Sequence, residues 1–121
     1  MDLKSFLREN NGFPENRKIR VSSCFVENGE EMPWEIRAVS EEEYHRAAEG
    51  KKDKWAALCL LSVVKPNLED KALWESYGVD SGEKVLKEML YPGEYVRLLE
   101  AVKDINGFQK RRKAWKEQAK N

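Results

Sequence analysis

Histidine occurs once in this chain, at His45, and cysteine twice, at Cys24 and Cys59. That inventory is too small for a zinc site built on Cys and His, since such sites draw four ligands from closely spaced positions. The two cysteines lie in different contexts, one in a strand-like run and one in a very apolar segment. Both are read as small buried hydrophobes, and a disulfide is not expected where no export signal is seen. The opening Met1-Asp2-Leu3-Lys4 lacks the basic-then-apolar layout of a secretory leader. The longest apolar run, residues 55–64, is too short to span a bilayer. A cytoplasmic location follows as the expectation. Glycine-rich phosphate loops are missing, and the serines have no strand-turn-helix context or neighbouring base to make them nucleophiles. No catalysis, cofactor or metal is expected.

What is present is charge and apolar residues in near balance. Of 121 residues, 40% are hydrophobic and 36% are charged, which places the chain among folded domains with a heavily charged surface. Its length suits one domain with one core. The 22 basic and 22 acidic residues cancel, but unevenly. The last stretch holds Lys110, Arg111, Arg112, Lys113, Lys116 and Lys120 against Glu117, a net +5. The remainder therefore carries −5.

The organisation reads in three parts: an N-terminal arm over 1–17, a β-hairpin plus helical domain over 18–108, and a basic tail over 109–121. Leu3, Phe6 and Leu7 share one face of a short amphipathic helix that Asn10-Asn11-Gly12 and Pro14 stop. From Ile19 to Val26 the pattern turns to period two, and Trp34, Ile36 and Ala38 alternate in a return strand. Asn28-Gly29 between them marks a tight turn, and Pro33 places the second strand at an edge or at its own first residue.

Helices follow. Ser40 with Glu43 fits a capping box, and Gly50 ends that helix. Residues 54–64 are apolar nearly all round, so they predict a central buried helix, closed by Lys65-Pro66. Residues 69–77 predict a third, with Leu73, Trp74 and Tyr77 inward and Gly78 as a left-handed cap. Ser81 caps a fourth. Pro92 opens a fifth, with Tyr95, Leu98, Leu99, Val102 and Ile105 as its apolar stripe and Asn106-Gly107 as its end. The expected fold is α+β and mainly helical: a β-hairpin packed on a compact bundle of about five helices, with helical arms at both ends.

The acids Glu41, Glu42 and Glu43, and likewise Glu69 and Asp70, are explained by the positive end of a helix dipole rather than by acid-base chemistry. The aromatic residues are generous for one small core, so some of them could line a surface that takes a partner's amphipathic helix. The candidate partner-binding residues are Leu3, Phe6 and Leu7 on the arm, with Tyr91, Pro92 and Tyr95 at the last helix junction. Against this stands a small nucleic-acid-binding or regulatory protein acting through Lys110, Arg111, Arg112, Lys113 and Trp115, where cations grip phosphate and the indole stacks on a base. The neutral total charge weakens that alternative.

Several segments, taken in order, resemble one family. They are the opening 3–9, Pro33-Trp34-Glu35-Ile36 leading into a Ser-capped helix, Val64-Lys65-Pro66-Asn67-Leu68, Glu75-Ser76-Tyr77-Gly78-Val79, the run 87–95 with Tyr91-Pro92-Gly93-Glu94-Tyr95, and Ile105-Asn106-Gly107-Phe108. Together they are similar to the XkdN-like phage tail assembly chaperones. The resemblance implies a non-catalytic role in a phage or prophage: binding the tape-measure protein and keeping it soluble until the tail tube polymerises round it. It also implies possible contact with the tail tube protein, weak self-association, and departure before the virion is mature. The broader class often makes a longer product by ribosomal slippage, and Ala119-Lys120-Asn121 is compatible with a slippery codon run. A membrane partner is not implied.

Overall fold

A computed structural model describes residues 3–108. The expected basic tail, with its helical arm, lies outside the described residues.

The fold is α+β and mainly helical, as the patterning predicts. Its strands are β1 (Arg17–Ile19), β2 (Val26–Glu27), β3 (Glu30–Glu31), β4 (Trp34–Ile36) and β5 (Val63–Lys65). Its helices are α1 (Glu41–Ala48), α2 (Lys54–Ser62), α3 (Lys71–Ser76), α4 (Gly82–Met89) and α5 (Pro92–Ile105). Local chemistry explains where each helix begins. Ser40 Oγ accepts from the Glu43 amide at 3.1 Å while the Ser40 amide donates to Glu43 Oε1 at 3.0 Å, the complete capping box. Asp53, Asp70 and Ser81 cap α2, α3 and α4 by accepting from the amides of Ala56, Ala72 and Lys84. Gly50, Gly78 and Gly107 adopt positive φ just past the ends of α1, α3 and α5.

The strands depart from expectation. The predicted strand over 19–26 is broken: β1 stops at Ile19, and the next strand begins only at Val26. Between them Val21 and Ser22 turn inward, and Ser22 Oγ accepts from the Cys24 amide at 3.0 Å. That local bond offers the backbone an alternative to a ladder. The Asn28-Gly29 turn forms as predicted, with φ of 53° and 80°, but it joins only the short β2 and β3. β4 then pairs antiparallel with β1, Ile19 opposite Trp34. The two ladders are thus parts of one interrupted hairpin.

A third strand was hidden in the predicted central helix. α2 ends at Ser62, and Val63–Lys65 continues as β5 along the free edge of β4. The sheet order is β1-β4-β5, so β4 is central rather than an edge. Pro33 is accommodated because it immediately precedes the strand and owes no ladder bond. The β-branched pair Val63-Val64 suits a strand better than a helix end.

The N-terminal arm is not an α-helix. Leu3–Phe6 and Arg8–Asn10 form two 3-10 turns with no buried residue. A helix this short has little stability alone, and the side-chain amides of Asn10 and Asn11 bond the carbonyls of Lys4, Ser5 and Leu7 instead. Arg17, assigned to the arm from sequence, is the first residue of β1.

α2 lies at the centre, packing against α1, α4 and α5 and continuing directly into β5. The core joins Trp34 and Ile36 from β4 to Leu58 and Cys59 from α2, Val85 and Leu86 from α4, and Leu98, Val102 and Ile105 from α5. Each fully buried Leu or Val contributes roughly 1.5–3 kcal/mol of apolar transfer, which far outweighs the exposed i,i+4 ion pairs such as Arg46–Glu42. Long-range polar ties add register. Arg17 meets Asp104 at 3.0 Å, and Arg97 Nη1 donates to the Val21 carbonyl at 2.7 Å. Asn106 binds three partners where α5 meets the sheet.

Candidate partner-binding surface

The arm presents its apolar residues to solvent. Leu3 is 64% exposed, Phe6 67% and Leu7 40%, and Phe13 beyond them is also exposed. The asparagine bonds that shape the turns lie within the arm itself. The Arg8 guanidinium sits 5.3 Å from the Phe13 ring centre, a cation-π contact within the same segment. Three large apolar side chains on such a segment can do one thing chemically, which is to cover another apolar surface.

The structure divides the second candidate group. Leu90 is buried, which brings Tyr91 out of the domain at the entry to α5. The Tyr91 amide donates to Glu94 Oε1 at 2.9 Å, and Pro92 occupies the first helical turn with its ring exposed. Glu94 is held below the usual carboxylate value, first by the Ser22 hydroxyl and then by the Tyr91 amide. This junction is therefore capped on both sides of the Tyr91-Pro92 step, and it carries Tyr91 with 71% of its surface exposed. Tyr95 turns the other way. Its side chain packs against the core, and its buried hydroxyl faces the Cys59 thiol. Burial raises the Tyr95 pKa, and it pushes the Cys59 thiol up to about 12. Tyr95 serves packing more than contact. Val96 takes its place on the outside, 53% exposed and one helical turn from Pro92. The i,i+4 spacing from Pro92 to Val96, off the buried stripe, was the signal available for it.

Two further exposed aromatics lie outside the two candidate groups. Trp55 lies on the first turn of α2, and its ring meets Phe108 edge-on at 5.1 Å. Lys103 Nζ stands 4.2 Å from the Trp55 ring centre. Phe108 also lines an open groove of about 490 Å³ with Val39, Ser40, Glu41, Tyr44, Leu58, Asn106 and Gly107. A second, larger cavity of about 760 Å³ lies between α2, α3 and α4, with Leu60, Leu61 and Trp74 among its walls and Lys51, Lys52 and Lys87 at its rim. Neither was foreseen, because each is formed by residues from distant parts of the chain.

The remaining tryptophans divide clearly. Trp34 is core, tilted against Phe25 at 5.8 Å, and Trp74 donates its indole N–H to the Leu68 carbonyl at 2.7 Å. Lys110, Arg111, Arg112, Lys113 and Trp115 lie outside the described residues.

The acidic turn of α1 is occupied structurally. Glu43 is held below its usual value chiefly by the Ser40 amide and then by Arg37, which it meets at 3.1 Å. Asp53 is lowered likewise, by the Ala56 amide and then by Lys87. Among the described residues no group of three or more His, Cys, Asp or Glu side chains is gathered as a metal site would need. Cys24 is exposed rather than buried as expected, because the Ser22 turn swings it outward; Cys59 is buried as expected, and both thiols are free. Among the described residues no helix is long and apolar enough to cross a membrane.

The sequence model of the phage XkdN-like tail assembly chaperone proteins matches residues 3–120. The fold is similar to the crystal structure of the protein YqbN, with 25% sequence identity and a TM-score of 0.77, covering 89% of this chain and 98% of that one. No curated protein matches the sequence.

Proposed function

This chain belongs to the phage XkdN-like tail assembly chaperone family, and we propose that it acts by covering apolar stripes of the tail's tape-measure protein until tube subunits replace it. The observation that carries this reading is the arm: Leu3, Phe6 and Leu7 are exposed on a segment that contributes nothing to the core. A long helical protein with unpartnered apolar stripes self-associates in water, and a short amphiphilic segment offered by many chaperone copies prevents it. The capped junction of Tyr91 and Pro92, extended by Val96, supplies a second apolar contact. Tyr95 acts beneath it as support.

Each contact is small. Binding therefore rests on several weak attachments acting together, which allows release when the tube protein competes for the same partner. The reading is non-catalytic and uses neither metal nor cofactor. It places the action in the host cytoplasm before the virion is complete, with weak self-association of the chaperone and, where the gene permits it, a longer slippage product as further partners.

The test is co-expression of the full chain with the long helical protein encoded beside it, followed by size-exclusion chromatography with light scattering. Several copies co-eluting with a partner that is insoluble alone is the expected outcome. A partner that is soluble by itself and does not associate would overturn the proposal. Abundant chain in purified virions would identify a structural tail component instead.

A further inference from the structure

The larger cavity is a groove along α2, walled by the end of α1 on one side and by α3 and α4 on the other. Its floor is Ala57, Leu60 and Leu61, whose i, i+3, i+4 spacing puts them on one helical face. Leu60 and Leu61 are only half-buried there, as is Trp74, which closes the groove from α3. The α4 wall stands close because Gly82 has no side chain: a Cβ there would lie 3.1 Å from Leu60 Cδ2 and 2.5 Å from Glu69 Oε1. The volume of about 760 Å³ falls within the ~300–1,000 Å³ range of cavities that bury most of a bound group.

The charges around the groove fall into two sets. Asp53, Glu83 and Lys87 satisfy one another, with Lys87 Nζ 2.9 Å from Asp53 Oδ2 and 3.7 Å from Glu83 Oε2. Lys51 and Lys52, exposed on the loop before α2, join no ion pair among the described residues. Neither does Glu69, whose carboxylate lies beside Leu60 at the other end. The uncommitted charge is therefore basic by two to one. We propose that this groove seats an amphipathic helix of the long helical partner proposed above, in a segment whose apolar stripe is flanked by acidic side chains over Lys51 and Lys52.

Shape and charge together name this occupant. An apolar face at helical spacing, framed by packed helices, is filled by the i, i+3 and i+4 side chains of another helix. α2 is nine residues long, so the groove spans roughly 14 Å, or about two and a half turns of such a helix. The arm of a second copy has apolar residues at suitable spacing, but over residues 3–10 it carries Lys4 and Arg8 against Glu9. It would set like charges against Lys51 and Lys52. The groove adds a seat for the partner's stripe to the cover that the arm offers. The identity of the partner rests on the chaperone reading; the position of the seat does not.

The experiment uses the full chain co-expressed with that partner. A photo-crosslinking amino acid in place of Lys52 and, separately, of Glu69 is expected to capture one and the same partner segment, at points about nine residues apart. That segment should show the helical apolar period and its acids. Made as a labelled peptide, it should bind the free chain in fluorescence anisotropy. Lys51→Glu combined with Lys52→Glu, both exposed, should weaken that binding about tenfold and leave Tm unchanged. Capture from a crosslinker in place of Phe6 but from neither groove position, or equal binding by the double variant, would overturn the groove and leave the chaperone reading standing. Capture of a second copy of the chain would also overturn it, by assigning the groove to self-association. Failure of the two proteins to associate at all would overturn both.

Discussion

Removing the Asn106 carboxamide should cost far more than its half-exposed position at a helix end suggests. Asn106 Oδ1 accepts from the Val39 amide at 2.8 Å, and Nδ2 donates to Ser62 Oγ at 3.1 Å and to the Val102 carbonyl at 2.9 Å. Ser62 is fully buried, and its carbonyl accepts from the Arg37 amide at 2.9 Å, just where the chain leaves β4. One side chain thus ties the end of α5 to α2 and to the sheet. Asn106→Ala deprives a buried hydroxyl and a half-buried amide of their partner. An unsatisfied buried group costs about 1–3 kcal/mol; water partly relieves Val39, so the sum is about 2–3 kcal/mol. For a domain of this size that corresponds to a fall in Tm of roughly 8–12 °C. Urea unfolding followed by tryptophan fluorescence measures it, with an unchanged slope showing that the unfolded reference has not moved. Ser62→Ala and the double variant complete a cycle whose coupling should exceed about 0.5 kcal/mol. A loss below about 1 kcal/mol, or strict additivity, would refute the bridge.

Three other expectations follow from separate features. A thiol reagent should label Cys24 at once in the native chain and Cys59 only on unfolding, since Cys59 is buried with its thiol pushed up to about 12; equal labelling rates would contradict the assigned core. Glu43, Asp53 and Glu94 have folded values below their ordinary ones. The unfolded chain therefore binds more protons in acid, so their contribution is present above the ordinary carboxylate range and is lost as pH falls through the depressed folded values. Tm should drop between neutral pH and about pH 3, and Asp53→Asn should make that drop shallower while lowering Tm at neutral pH; a parallel curve would count against it. Replacing Leu3, Phe6 and Leu7 together by Asp should leave Tm within about 1 °C, because no arm residue is buried, while abolishing co-elution with the tape-measure protein. Retained co-elution would move the contact elsewhere.

The division between what was legible and what was not follows the range of the interactions. Helix starts at Ser40, Asp53, Asp70, Ser81 and Pro92 depend on bonds between residues two or three apart, and the positive-φ ends at Gly50, Gly78 and Gly107 depend on one residue each. The starts at Ser40, Ser81 and Pro92 could be read from the sequence, as could the ends at Gly50, Gly78 and Gly107, the Asn28-Gly29 turn and the apolar stripe of α5. The sequence does not single out Asp53 as a cap, and it puts Asp70 inside the first turn of a helix from 69, whereas Asp70 caps α3 from outside. The ordered segments from the opening arm to Ile105-Asn106-Gly107-Phe108 also pointed to the family. Strand extent could not be read in this way. Residues 63–65 continue an apolar helical run without a break, and only β4, some thirty residues earlier, offers the free edge that makes them a strand.

The same limit applied to the candidate surface. Sequence put Tyr91, Pro92 and Tyr95 together at one junction, and adjacency was all it could supply. Whether each ring faces water or Cys59 depends on how α5 lies across α2. The groove beside Phe108 likewise exists only because the two ends of the helical region meet there. Local hydrogen bonding and helical periodicity are properties of the chain itself, so the sequence alone determined the presence of the five domain helices and the class of fold, though not the 3-10 form of the arm or the end of α2. Strand pairing, side-chain direction and the groove depend on contacts between distant segments, and only the tertiary structure decided them.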